Sequence, residues 1–184
     1  MEWMDYIQKG GVIMQILIAL NVLGWAIMGW KFFQLLFVRA KKPRLLASLI
    51  VEIRKKEVPL HDEHIVKELI GDELAYRMNR LESGLPTVKI IASIAPLLGL
   101  LGTVIGVLMA FEAISKVGMG DPGIFAGGIS LALVTTIGGL IVAIPHYIGY
   151  NYLIGMIDAL EVEIEKEILP ALYHDESLVA ARNG

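Results

Sequence analysis

Three stretches of this chain, residues 10–30, 90–111 and 122–157, contain no Lys, Arg, Asp or Glu. A helix needs about 20 mostly apolar residues to cross the hydrocarbon core of a bilayer, so each stretch is long enough to span it. The pattern predicts transmembrane helices near residues 11–37, 88–113 and 124–150. Between the first two, Leu45, Leu46, Leu49, Ile50 and Ile53 recur at helical spacing, and Pro59 stops that segment. A second short helix is predicted from about Asp62, with Ile65, Leu69, Ile70, Leu74 and Met78 on one face, and Gly84 and Pro86 break the chain after it. Such stripes are expected to pack on membrane helices that continue beyond the bilayer. The third apolar stretch supplies one, since 36 residues of helix reach about 54 Å against a core of about 30 Å. Ile157, Leu160, Ile164 and Ile168 carry its apolar stripe onward; Pro170 is expected to end it, and residues from Asp175 are expected to fray.

Composition agrees with a membrane protein: 55% of residues are hydrophobic and 19% charged, with a mean hydropathy of +0.64. Continuous apolar runs exclude an outer-membrane β-barrel, whose strands alternate in short segments. The absence of cysteine excludes disulfides, thiolate metal sites and a cysteine nucleophile. A net charge of −3 gives no electrostatic reason to expect nucleic acid. The first apolar stretch, led by Glu2, Asp5 and Lys9 with no small-residue cleavage site after it, reads as a retained anchor.

Basic residues then set the orientation. Lys9 alone precedes the first span, whereas Lys31, Arg39, Lys41, Lys42 and Arg44 follow it closely. The positive-inside rule therefore predicts an N-terminus outside the cytoplasm, a cytoplasmic segment after span one, an outside loop near residues 115–123 and a cytoplasmic C-terminus. Trp3 and Tyr6 at the outer end, and Trp30, Phe32, Tyr147, Tyr150 and Tyr152 at the inner one, suit interfacial belts.

At 100° per residue, Ala92, Pro96, Gly99, Thr103, Gly106 and Ala110 fall on one stripe of span two, and Phe125, Ile129, Ala132, Thr136, Gly139 and Ala143 on one stripe of span three. Two readings of these small-residue faces compete. Small residues let helix backbones approach closely, with threonine hydroxyls bonded to their own helix. Alternatively, the threonines line a narrow aqueous or protonic path. A proton relay needs a titratable group at membrane depth, and His146, read as interfacial after Pro145, is the one candidate in these spans. The carboxylate of any proton path must therefore come from another chain.

The motif Ala95-Pro-Leu-Leu-Gly-Leu-Leu-Gly-Thr-Val-Ile-Gly-Val, followed by Gly128-Ile-Ser-Leu-Ala-Leu-Val-Thr-Thr-Ile-Gly-Gly-Leu-Ile-Val-Ala-Ile-Pro, closely resembles the ExbB/TolQ/MotA family. The strong match covers residues 90–151, about a third of the chain, and three spans look like ExbB and TolQ, since MotA-type subunits have four. The resemblance implies an inner-membrane subunit of a proton-driven motor in Gram-negative bacteria. It implies a ring of five copies around the single-span helices of a dimeric ExbD- or TolR-type partner, whose Asp carries protons. A TonB- or TolA-type protein would receive the work. The family's pore threonines match Thr103 and Thr136, with Thr135 beside them, while Gly99, Gly106, Ala132 and Gly139 are the helix-packing or partner-facing residues. The sequence departs from many members at Leu131, where they carry Glu.

The expected fold is an all-α membrane protein, with three transmembrane helices and long cytoplasmic helical extensions in a homo-oligomeric, pentameric ring. Its expected parts are residues 1–38 (periplasmic N-terminus and first span), 39–87 (cytoplasmic helices), 88–157 (spans two and three) and 158–184 (cytoplasmic helix and tail). No cofactor, metal, nucleic acid or enzymatic activity is expected. His61 and His64 read as an exposed polar turn, because two ligands without a third make a poor metal site. The rival function is a membrane scaffold or transporter subunit whose Thr/Gly faces only pack helices.

Overall fold

The computed structural model describes residues 10–56, 63–118 and 122–183. Within them the chain forms five helices: α1 (Gly11–Ala40), α2 (Lys42–Lys55), α3 (Glu63–Glu82), α4 (Leu85–Val117) and α5 (Pro122–Asn183), and no strand. Three are long and apolar enough to cross a membrane: Gly11–Ala40, Leu85–Lys116 and a stretch of α5. The protein is thus an all-α, multi-pass membrane protein. Trp3, Tyr6, Pro59, His61 and Asp62 lie outside the described residues, as does part of the predicted outside loop.

The described residues form two compact units, one drawn from residues 10–29 and 84–151 and the other from residues 30–83 and 152–183. In the first, α5 lies against both other helices. Its face toward α1 is notched: Gly138 meets Met14 and Leu17, Gly149 meets Met28, and His146 sits on Gly24. The order of these contacts makes α1 and α5 run in the same direction. α4 runs the opposite way, because Gly99 meets Gly139 while Gly106 meets Gly128. The alternation expected of three consecutive crossings is therefore present. Leu17, Ile91, Ala95, Val142 and Ala143 form a buried cluster where the three helices meet. Val12, Val22, Leu23 and Trp25 of α1 are exposed, whereas its Met14, Leu17 and Met28 are buried inside the chain.

In the second unit the apolar stripes behave as their spacing predicts. Leu49 and Ile53 of α2 are buried, as are Val66, Ile70, Leu74, Met78 and Leu81 of α3 and Leu153, Ile157, Leu160, Ile164, Ile168 and Leu172 of α5. Ile65 is a correction: it is 40% exposed, and Val66 takes the buried position beside Ile70. Residues 66, 70, 74, 78 and 81 keep the 4-4-4-3 spacing of one helical stripe, whereas Ile65 lies one step of 100° outside it.

Pro170 is a second correction, because α5 continues through it to Asn183, including the segment expected to fray. A proline inside a helix removes one hydrogen bond and crowds the preceding turn. Pro170 and Lys166 are both exposed, so the carbonyl that loses its partner can bond to water while Ile168 and Leu172 hold the helix down on either side. Gly84, by contrast, does interrupt the chain. Its φ of 92° is left-handed, a conformation glycine adopts without steric cost, and Pro86 follows in the first turn of α4.

Ion pairs tie the end of α1 and the start of α2 to α5. Arg39 contacts Glu163 at 3.0 Å, and Lys42 contacts Glu163 at 3.3 Å and Glu167 at 2.7 Å. The hydrogen bond to Glu167, joined by Glu163, holds the Lys42 ammonium above its ordinary value. Lys31 behaves differently: its side chain is buried and donates to the Leu81 carbonyl in the last turn of α3 at 3.1 Å. A cation there complements the negative end of the α3 dipole.

Candidate proton-path site

The site grows from the close approach of α4 and α5. A Cβ added to Gly106 would stand 2.5 Å from the Gly128 carbonyl oxygen and 2.8 Å from the Ala132 nitrogen. One added to Gly139 would stand 2.6 Å from the Ala95 oxygen and 3.1 Å from the Gly99 Cα. Backbones this near require glycine on both sides, the small-residue packing seen between membrane helices. Gly99, Gly106, Ala132 and Gly139, singled out by sequence, thus meet one another within a single chain. Gly102, Gly128 and Ala95 belong to the same contact but were not on the predicted stripes. Gly128 takes the contact expected near Ile129, which is 43% exposed. The i, i+4 spacing of Gly128 and Ala132, and of Gly102 and Gly106, was the signal available for two of them.

This approach brings the two predicted threonines together. Thr103 on α4 and Thr136 on α5 are hydrogen-bonded hydroxyl to hydroxyl. Thr103 Oγ1 also lies 3.1 Å from the Ala132 carbonyl across the interface and 3.3 Å from the Gly99 carbonyl of its own helix. Thr136 Oγ1 lies 3.3 Å from the same Gly99 carbonyl. A hydroxyl donates one proton and keeps two lone pairs, so one threonine's proton bridges the pair, the other's goes to a carbonyl, and acceptor capacity remains on the oxygens. Both side chains are only half-buried in the chain.

Thr135 occupies a different position. It is fully buried, its methyl and hydroxyl fill the notch left by Gly102, and its hydroxyl donates to the Leu131 and Ala132 carbonyls at 2.9 and 3.0 Å. Leu131 is half-buried one turn before Thr135.

His146 is a correction. Read as interfacial, it is fully buried against Gly24, with the Trp25 ring edge-on at 6.0 Å. Its Nδ1 donates to the Val142 carbonyl at 2.7 Å, which fixes the proton on that nitrogen, and Nε2 has no hydrogen-bond partner among the described residues. The missing Cβ of Gly24 is what makes room for the ring. At the same end of the helices, Lys89 of α4 places its ammonium 5.6 Å from the Tyr150 ring centroid.

Residues 40–166 match the model of a family described as the MotA/TolQ/ExbB proton channel family. The chain is 30% identical to a protein named as a biopolymer transport ExbB homolog in Methanothermobacter thermautotrophicus, over 84% of this chain and 64% of that one. It is 31% identical to the biopolymer transport protein exbB1 of Vibrio cholerae, over 61% of this chain and 55% of that one. A biopolymer transport ExbB of Neisseria gonorrhoeae is 36% identical over 52% of this chain and 43% of its own. The chain therefore spans less than two thirds of the length of each of these relatives.

Proposed function

This chain belongs to the MotA/TolQ/ExbB proton channel family, and from that premise we propose that it is an inner-membrane subunit that turns proton motive force into work on envelope or outer-membrane transport. In this reading five copies ring the single-span helices of a dimeric ExbD- or TolR-type partner, and a TonB- or TolA-type protein receives the work. The N-terminus lies in the periplasm and the C-terminus in the cytoplasm. Residues 39–87 and 158–184 are then cytoplasmic, and residues 88–157 form the conducting core. Names of relatives that speak of biopolymer transport support the direction of this reading.

The observation that carries it is the pairing of Thr103 with Thr136 between helices whose residues 90–111 and 122–157 include no charged side chain. A proton path needs a group that gains and loses a proton, and this chain supplies none at that depth, so the partner's carboxyl must. A threonine hydroxyl serves both states of such a carboxyl: it donates to the carboxylate and accepts from the acid. Valine has the same shape and does neither. Thr103 and Thr136 form the polar lining, and Thr135 braces it from behind by filling the Gly102 notch. The rival reading, a scaffold or transporter subunit, draws on the same hydroxyls, since carbonyls of α4 and α5 lie within bonding distance of both.

The test is native mass spectrometry of the complex extracted in detergent from cells that also express a single-span ExbD- or TolR-type protein. Five copies of this chain with two of that protein are expected. A stable monomer, or an assembly that excludes every single-span acidic protein, contradicts the proposal.

A further inference from the structure

The five basic residues in the last part of α1 and just after it act together in the sequence as an orientation signal, but the structure gives them three different surroundings. Lys31 is turned inward onto the Leu81 carbonyl. Arg39 and Lys42 are neutralised by Glu163 and Glu167. Lys41 and Arg44 are exposed and face no carboxylate within ion-pairing distance among the described residues. They lie on one turn, with the Arg44 amide bonded to the Lys41 carbonyl at 2.9 Å.

The helix that leads to this turn carries a matching apolar face. Trp30, Phe33 and Phe37 recur at i, i+3 and i+7 and are 73%, 72% and 59% exposed. The Lys41 ammonium lies over the Phe37 ring, 3.8 Å from its centroid. Exposed rings of this size are costly in water and suited to the boundary between acyl chains and headgroups. One turn beyond that boundary two exposed cations, Lys41 and Arg44, follow each other three residues apart. A guanidinium presents its donors as a fork that fits two phosphate oxygens, and an ammonium beside it adds a point charge.

We propose that Phe33, Phe37, Lys41 and Arg44 form a binding site for an anionic phospholipid, with the phosphodiester between Lys41 and Arg44 and an acyl chain along Phe33 and Phe37. A lipid is favoured over a free phosphate because the cations continue an exposed aromatic stripe instead of lining a polar pocket. The site needs only that α1 crosses a membrane and ends at its surface. It is independent of the ring and of the proton path.

Trp30 reports on the site from one turn away. In a Trp3→Phe/Trp25→Phe background it is the remaining tryptophan, and its fluorescence is quenched by brominated lipids that occupy adjacent positions. The full chain is reconstituted into phosphatidylcholine vesicles containing brominated phosphatidylglycerol, and separately brominated phosphatidylcholine, at equal mole fractions. Quenching is expected to show roughly tenfold enrichment of phosphatidylglycerol over its bulk fraction, from two juxtamembrane cations near an anionic headgroup. Lys41→Gln/Arg44→Gln should abolish the enrichment. Lys55→Gln/Arg80→Gln, which removes the same charge from exposed positions elsewhere, should preserve it, and so should 10 mM inorganic phosphate. No enrichment in the parent protein overturns the proposal. Equal loss in both double variants, or displacement by inorganic phosphate, overturns it as well.

Discussion

A methyl group added at Gly24 would collide with the His146 imidazole, which is fully buried and anchored through Nδ1 to the Val142 carbonyl. Overpacking of this kind costs about 1–3 kcal/mol when the neighbour cannot yield. Gly24→Ala should therefore lower the thermal midpoint of the detergent-purified protein, and the added change His146→Ala should recover most of the loss. Additive effects in the double variant would show that the two residues do not touch. This pair was not legible in the sequence. Met14, Leu17, Gly24, Met28, Lys31 and Leu35 are the buried residues of α1, but the nearly uniform apolar character of span one hides which of its faces turns inward. Which ring fills a glycine notch depends on the register of two helices more than 100 residues apart, and no local pattern carries that register. For the same reason Lys31 looked like one more orientation charge, although its ammonium reaches a carbonyl 50 residues away.

Between helices, the α4/α5 contact rests on glycine backbones that nearly touch, so bulk there should be felt more than any loss of polarity. Gly106→Leu would drive a branched side chain into the Gly128 carbonyl and the Ala132 nitrogen. The expected result is loss of a monodisperse, folded species on size-exclusion chromatography. An unchanged elution profile would mean that α4 and α5 do not meet at this point. Leu131→Ala provides the contrast. Its side chain is half-buried and bonded to nothing, so the variant should assemble normally and retain activity, measured in the same deletion-strain assay as the wild type. Periodicity exposed the apolar stripes of α2, α3 and α5 and the small faces of α4 and α5, because those follow from 100° per residue alone. The end of α5 was not legible in that way. A proline is a strong stop signal in isolation, but the apolar residues at 168 and 172 bury themselves on both sides of Pro170 and hold the helix through it.

For the molecule as a whole, the account makes one claim about direction and one about work. Membrane-impermeant thiol reagents applied from the periplasm should label Asp5→Cys and Gly120→Cys and miss Lys55→Cys and Asp175→Cys. Labelling at position 55 from that side would reverse the proposed orientation. The claim about work rests on two hydroxyl groups. A single hydrogen bond within a membrane is worth about 0.6–2 kcal/mol, too little for its loss to unfold the helix pair. Removal of both hydroxyls should therefore leave assembly intact and stop proton-driven work. The most direct measurement is the rescue of energy-dependent uptake or envelope integrity in a deletion strain by Thr103→Val/Thr136→Val, with Thr87→Val as the boundary control and co-purification of the single-span partner as the check on assembly. The account predicts that the double variant still co-purifies with its partner and fails to rescue, while Thr87→Val rescues fully; rescue by the double variant at the wild-type level would contradict it and return both threonines to plain helix packing.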